Sequence, residues 1–486
     1  MSARRLPASV VLTAMLLIGL AARIAAYTGQ SFSWGSDESR FLGVVQNLAN
    51  GYFPSGDAEW FGSRLGLLWP VAGLFRLVHA SDAIAAIWPL TVSLTGIVAA
   101  YLIGRDLAHR RVGYVAAALV AVAPLEALVG TRLRPDAIAP AVVAFAMWCA
   151  LRTRRAGRSG LRWAFAAGLL LGIAWSVREN ALVLVPVLVM AGWGARRRGL
   201  MAGIVGAAVA PAGAALVFAI GARDPVRPLI GAGTEGAFRN PVDAFSLTDT
   251  YAAVITRDAF DPGSPVFLLA PTLIGAIAVT LCTRDRRALL PGVWLLWTAV
   301  YLEFGTLFNL AKPVRYLTLC TIPCALLVAL AVDGRYAALA PAGVAIAAIC
   351  ALWYLPGRVL RPDDSTLVAR VADRLRSLPE GPVLAESYTW YAKLTTYTAR
   401  RRLTIPEVQD PEFLTPFDAR RTRLLLPLPS PADSREGYIV TGPIHPRVGW
   451  PTNWGRARAR IAATVASNQL EVVATVGPAM IWRWRR

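Results

Sequence analysis

LTVSLTGIVAAYLIGRDLAHRRVGYVAAALVAVAPLEALVGTRLRPDAI, residues 90–138, holds two apolar runs joined by the basic hinge RDLAHRR. An apolar run of about 17–25 residues is what a helix needs to cross ~30 Å of hydrocarbon. Arginine in short loops marks the cytoplasmic side. Arg105, Arg110 and Arg111 therefore lie inside, and the next connection, TRLRPD, lies outside.

The same reading extends along the chain. Apolar segments fall at 83–104, 112–129, 136–151, 163–177, 180–194, 200–220, 265–282, 288–308, 313–332 and 336–355. Alternate connections are basic: Arg4 and Arg5, the run Arg152 to Arg162, Arg196 to Arg198, Arg284 to Arg287, and Arg335. With the N-terminal MSARRLPASVVLTAMLLIGLAARIAAY as an uncleaved first helix, about eleven spans put every basic loop inside. That first segment is long for a cleaved leader and contains Arg23. LGLLWPVAGLFRLVHA (65–80) has the look of a span, but counting it would turn RDLAHRR outward. It is read as an interfacial helix on the outer face, with a short re-entrant segment as the alternative.

Composition agrees. The 486 residues are 56% hydrophobic and 16% charged, against ~25% charged in soluble domains, and mean hydropathy is +0.49. The formal net charge of +20 is nearly all arginine, with Lys312 and Lys393 the two lysines. Because the arginines cluster between apolar spans, the charge speaks for membrane topology and against a nucleic-acid partner. The five cysteines fall inside expected spans and form no CxxC, so neither a disulfide framework nor a zinc site is expected. Trp34, Trp60, Trp69 and Trp88 fall near the outer boundary, where aromatics form a belt.

Hydropathy falls after residue 356. Residues 1–356 are expected to form the membrane domain and 357–486 a small soluble α/β domain outside it. Within the latter, 365–378, 388–399 and 455–468 have helical spacing; 381–387 and 436–442 are strand-like, and 470–486 end in a hairpin.

This topology gathers ionisable groups on the outer side. Asp37 and Glu38 stand side by side in WGSDESRF (34–41), in the first outer loop (28–82). Asp136 and Glu179 open spans from outside, and Glu126 lies near the outer end of another. Arg40, Arg64, Arg132, Arg134, Arg178, Lys312 and Arg315 accompany them. Charges at span ends are often solvated, and a carboxylate at a helix start also serves the helix dipole. Their concentration on one face instead marks a site, since ionisable groups near hydrocarbon are costly.

The order of features resembles the C-type (GT-C) glycosyltransferases, in particular the group of protein O-mannosyltransferases and aminoarabinose transferases. The resemblance is carried over residues 1–335 by SDESRF, FLGVVQNLANGYF, WFGSRLGLLWP, YLIGRDLAHRRVGYVAAAL, APLEALVGTRLRPDAI, WSVRENALVLVPVL and NLAKPVRYLTLCTIPCALL. It implies transfer of a sugar from a polyprenyl-phosphate carrier to a protein, lipid or glycan acceptor outside the cytoplasm. It assigns the base to Asp37, with Glu38 beside it. Where many members carry Lys-Pro-Pro this chain has SRLGL, so Arg64 would supply the cation without the two prolines. Arg315, Tyr316 and Lys312 would complete the donor-phosphate contacts, and Asp136, Arg134, Arg178 and Glu179 would orient sugar or acceptor.

The chemistry fits such roles. A carboxylate can take the proton of an attacking hydroxyl. A departing lipid phosphate needs fixed cations, and the planar fork of arginine grips phosphate oxygens. One carboxylate and no covalent intermediate imply inversion at the anomeric carbon. No cofactor is required. A divalent cation stays open, because the acidic pair offers oxygens but no third ligand is evident. Two other classes remain as rivals. A lipid or sugar transporter or flippase should carry polar groups at mid-membrane in repeated halves, whereas the charges here sit at one face. A membrane-anchored wall-glycan binding protein leaves the acidic loop unexplained. The Gly- and Pro-rich loop 221–264, on the active face, is read as a lid or binding loop, with a plain connector as the alternative.

Overall fold

A computed structural model describes residues 7–27, 37–49, 63–78, 80–155, 159–192, 197–222, 285–307 and 314–333, together with strands 383–385, 436–441 and 469–485 and a few shorter pieces. The chain divides into two compact units, one of Met1–Tyr27, Pro89–Ala214 and Leu229–Arg361, the other of Thr28–Trp88, Ala215–Pro228 and Pro362–Arg486.

The described helices are α1 (Ala8–Ala25), α2 (Asp37–Ala49), α3 (Leu65–Leu77), α4 (Asp82–Leu107), α5 (Arg110–Val122), α6 (Pro124–Val129), α7 (Pro135–Arg155), α8 (Gly160–Val177), α9 (Val185–Ala191), α10 (Arg197–Ala222), α11 (Leu289–Leu307) and α12 (Thr318–Ala331). Among the described residues four helices are long and apolar enough to cross a membrane: Asp82–Leu107, Pro135–Arg154, Gly160–Val177 and Arg197–Gly221. The chain is an integral membrane protein. The expected span 336–355, the span 265–282 apart from Leu273 and Ile277, and nearly all of loop 221–264 lie outside the described residues.

Helix α4 shows how local chemistry sets an element. The Ile84 amide donates to Ser81 Oγ at 3.2 Å, an N-terminal cap. Asp82 sits in the first turn and Arg105 in the last, both matched to the helix dipole.

Two expected spans are broken, for reasons visible in the chain. Segment 112–129 is not one helix but α5 and α6, because Pro124 pushes Ala123 into an extended conformation (φ −61°, ψ 119°) and then starts the next helix. Segment 180–194 is a 3-10 turn, Glu179–Leu184, followed by the short α9, and Arg178 before it is extended (φ −154°, ψ 116°). By contrast 65–80 forms the single helix α3, Leu65–Leu77, about 20 Å long and too short to span.

In the first unit α5 packs against α1 and α12, and α7 packs against α8, α9 and α12. Close approach of α8 and α10 depends on glycine: a Cβ on Gly168 would strike the Gly203 carbonyl, and one on Gly206 the Phe165 carbonyl. In the second unit α2 packs against α3. Phe41, Leu42, Val44 and Val45 of α2 and Leu67, Leu68, Val71 and Phe75 of α3 are buried. Trp88, expected in an aromatic belt, donates its indole N–H to the Gly66 carbonyl at 3.1 Å.

The C-terminal strands form a four-stranded sheet in the order β1-β2-β4-β3, from β1 (Val383–Ala385), β2 (Glu436–Thr441), β3 (Gln469–Val476) and β4 (Ala479–Arg485). β1 and β2 are parallel; β2 and β3 each run antiparallel to β4. The expected hairpin turns at Gly477–Pro478, where Gly477 has φ 57°. A residue at positive φ followed by proline, with φ held near −65°, matches the type II′ turn that suits strand twist. Of the helix expected at 365–378, Arg370, Val371 and Asp373 to Leu375 are described and helical. Those at 388–399 and 455–468 lie outside the described residues.

Candidate functional site

In the second unit the acidic pair does not sit on an extended loop; Asp37 and Glu38 form the first turn of α2. A carboxylate in the first turn favours the positive helix end. Glu38 is fully buried; the Asp37 side chain is not among those described. Phe41 lies three residues on from Glu38, hence on the same helix face. Arg64, immediately before α3, is buried, and its guanidinium carbon lies 5.5 Å from the Phe41 ring centroid. An aromatic ring in that position holds a cation by its quadrupole. The phenylalanine platform was not expected from the sequence, although FLGVV directly follows the acidic pair.

In the first unit the chain from Leu125 to Ala141 is buried without a break, including the turn between α6 and α7. Connections normally run over the surface. This one satisfies its backbone locally: the amides of Gly130, Arg132 and Arg134 donate to the carbonyls of Glu126 (2.8 Å), Val129 (2.8 Å) and Arg132 (2.7 Å). The stretch carries four ionisable groups into the interior, Glu126, Arg132, Arg134 and Asp136, each less than a tenth exposed.

Asp136, at the start of α7, is the anchor of a cluster. Its Oδ1 pairs with Arg178 Nη1, and its Oδ2 with Arg315 Nε at 3.2 Å. Arg178 can reach it because the extended conformation after α8 turns that residue away from the helix. Arg315 comes from the 3-10 turn Val314–Leu317 that leads into α12. The Thr318 hydroxyl lies within hydrogen-bond reach of the carbonyls of Asp136 (3.2 Å) and Arg315 (2.9 Å), tying α7 to this turn. Tyr316 stacks under both cations, 4.0 Å from Arg178 and 5.3 Å from Arg315. One carboxylate thus fixes two guanidinium groups over one aromatic ring. With both oxygens engaged by cations, Asp136 is built to hold arginines rather than to take a proton.

The structure therefore brings together Asp136, Arg178, Arg315 and Tyr316, with Arg134 two residues ahead of Asp136 and Glu179 directly after Arg178. Lys312 lies outside the described residues. Thr318 was missed: a threonine in an apolar segment carries no signal of its own. Among the described residues no group of three His, Cys, Asp or Glu side chains could hold a metal ion. Cys149, Cys320 and Cys324 are free and buried.

The opposite ends of these helices hold a second set of ion pairs. Asp106 accepts from Arg105 Nε (3.0 Å) and the Trp148 indole (2.9 Å), and forms an ion pair with Arg152, whose Nε lies 3.0 Å away. Arg287 bridges Asp285 and Asp333, and His109 Nε2 lies 3.1 Å from Asp333. Apart from Trp148, which lies inside its helix, these residues belong to or border the basic connections read as cytoplasmic from sequence.

This is the architecture of a GT-C-fold integral membrane protein. Residues 65–220 match the family described as dolichyl-phosphate-mannose-protein mannosyltransferase, as the resemblance in the sequence implied. Among solved structures the chain is similar to ArnT from Cupriavidus metallidurans bound to undecaprenyl phosphate, with TM-score 0.62, 16% identity, and 98% of this chain and 97% of that one covered. It is also similar to the oligosaccharyltransferase AglB from Archaeoglobus fulgidus, solved with an inhibitory peptide and a dolichol-phosphate, with TM-score 0.54, 13% identity, and 81% and 63% covered. No curated protein matches the sequence.

Proposed function

We propose that the protein is an inverting glycosyltransferase, moving a hexosyl or pentosyl group from a polyprenyl-phosphate carrier to a protein, lipid or glycan acceptor on the outer face of the membrane. The observation that carries this reading is the buried cluster in which Asp136 fixes Arg178 and Arg315 over Tyr316. A lipid phosphate departing from a sugar needs cations already held in place, and a water-poor setting strengthens their effect. The GT-C fold and the match to the mannosyltransferase family support the same chemistry.

In the reaction the acceptor oxygen bonds to the anomeric carbon as the bond from that carbon to the phosphate oxygen breaks. The phosphate leaves with the electron pair, and the acceptor proton passes to a carboxylate. We assign that base to Asp37, with Glu38 as the neighbouring alternative. Arg64, Arg315, Tyr316 and Lys312 are assigned to the donor phosphate. Arg134, Arg178 and Glu179 orient sugar or acceptor, and Asp136 does so through the arginines it holds. The N-terminus is cytoplasmic and the C-terminal domain extracytoplasmic in this reading.

The test is transfer by the full-length protein, purified in detergent, from polyprenyl-phosphate mannose to a panel of acceptors, with wild type beside Asp37→Asn. Transfer by wild type and loss in the variant supports class and base together. Equal transfer moves the base to Glu38. Retained configuration at the anomeric carbon would sink the inverting mechanism.

A further inference from the structure

Arg23 is fully buried in the last turn of the chain's first apolar helix, and a charge shut away from water there is expensive. Its contacts are spread over three other elements. Nε donates to Ser93 Oγ of α4 at 2.9 Å. Nη1 donates to the carbonyls of Gly19, one turn back, at 3.1 Å and of Ala121 in α5 at 3.4 Å. Nη2 lies 3.8 Å from Glu126 Oε2 in α6.

These contacts meet at the start of the buried turn that carries Arg132 and Arg134. The Gly130 amide donates to the carbonyl of Glu126, the residue paired with Arg23. Gly130 also presses on the pair itself: a Cβ there would lie 2.8 Å from Ser93 Oγ and 3.0 Å from Arg23 Nε. Gly130 has an ordinary helical φ of −60°, so the position demands a glycine for space and not for backbone freedom. The turn is seated on the Arg23–Ser93 contact at one end and closes onto Asp136 and α7 at the other.

We propose that Arg23 is a positioning residue: through Ser93, Glu126 and Gly130 it sets the Gly130–Arg134 turn and, through Asp136 at the far end of that turn, the pose of Arg315, which is assigned to the donor phosphate. The inference rests on the transferase reading for what the turn binds, but not for what holds the turn.

Removing Arg23 alone strands the Glu126 charge in the interior and invites misfolding. The test therefore uses Gly130→Ala, which keeps both charges, and the paired change Arg23→Met with Glu126→Gln, which removes both. Full-length protein in detergent is followed by amide hydrogen exchange, thermal midpoint and binding of undecaprenyl phosphate. Both variants are expected to speed exchange selectively at the amides of Arg132 and Arg134 and to weaken lipid-phosphate binding on the order of tenfold, as loss of a supporting shell does. The rest of the helical unit should keep its protection. Faster exchange throughout, or an unchanged turn, overturns the proposal. So does a loosened turn that binds undecaprenyl phosphate as tightly as wild type. If wild type itself fails to bind undecaprenyl phosphate, the transferase reading falls, and the exchange at residues 130–134 alone decides whether Arg23 sets the turn.

Discussion

Asp136 Oδ2 and Arg315 Nε meet at 3.2 Å, joining the first turn of α7 to the turn that opens α12. The other oxygen of the same carboxylate belongs to Arg178. Removing a buried partner costs about 3–5 kcal/mol, because it leaves uncompensated charge behind. Asp136→Ala is therefore expected to lower the thermal midpoint in detergent by several degrees and to abolish transfer. Glu179→Gln, at a half-buried position, should leave the midpoint nearly unchanged.

Arg178 lies 4.0 Å from the Tyr316 ring centroid. A desolvated contact of this kind contributes about 0.5–2 kcal/mol. Tyr316→Leu keeps the apolar volume and loses the ring. The expected result is a donor KM raised up to ~30-fold with the protein still folded, measured as initial rates over a donor titration. An unchanged KM would remove Tyr316 from the donor site.

Arg64 over Phe41 makes a parallel case in the second unit. Lysine keeps the charge but not the planar fork. Arg64→Lys should bind undecaprenyl phosphate more weakly than wild type, and Arg64→Ala more weakly still. Equal affinities in all three, by titration, would argue that Arg64 is only a packing residue.

The Gly168 contact with Gly203 admits no side chain. Gly168→Ala must part α8 from α10, and overpacking of this kind costs about 1–3 kcal/mol. A lowered thermal midpoint is expected. A midpoint equal to wild type would show that the two helices part freely.

Asp285 lies in a connection between spans, where hydrogen bonding to Arg287 holds its carboxyl below the usual range. A carboxylate lowered in the folded state stabilises it above the unfolded pKa, about 3.9. That contribution fades as pH falls through the lower folded value. The stability difference between wild type and Asp285→Asn should be flat from about pH 8 to 5 and shrink only below about 4. A difference that vanished near neutral pH would show that the pair does not hold in solution.

Much of the architecture was legible in the chain itself. Hydropathy alone identifies a membrane protein, because no soluble core needs so many apolar runs of that length. The starts and breaks of helices were written in short signals: Ser81 before α4, Pro124 between α5 and α6, and Gly477–Pro478 in the last hairpin. The proline at 124 was there to be read, yet the apolar run across it reads as one span, since periodicity takes no account of one backbone restriction. Arg23 was also visible as a costly charge inside a span, but nothing local names its partner.

Partnership is what tertiary structure decided. The sequence determined that this is a bundle of membrane helices with charges gathered near their ends, for the cost of burying charge in hydrocarbon acts on every residue independently. That Asp136 holds Arg178 and Arg315 over Tyr316, that Arg23 meets Ser93 and Glu126, and that the turn from Gly130 to Arg134 is buried depend on which helices pack side by side. Such contacts join residues far apart in the chain, and a hydrogen bond or ion pair forms only when packing brings its two groups within about 4 Å.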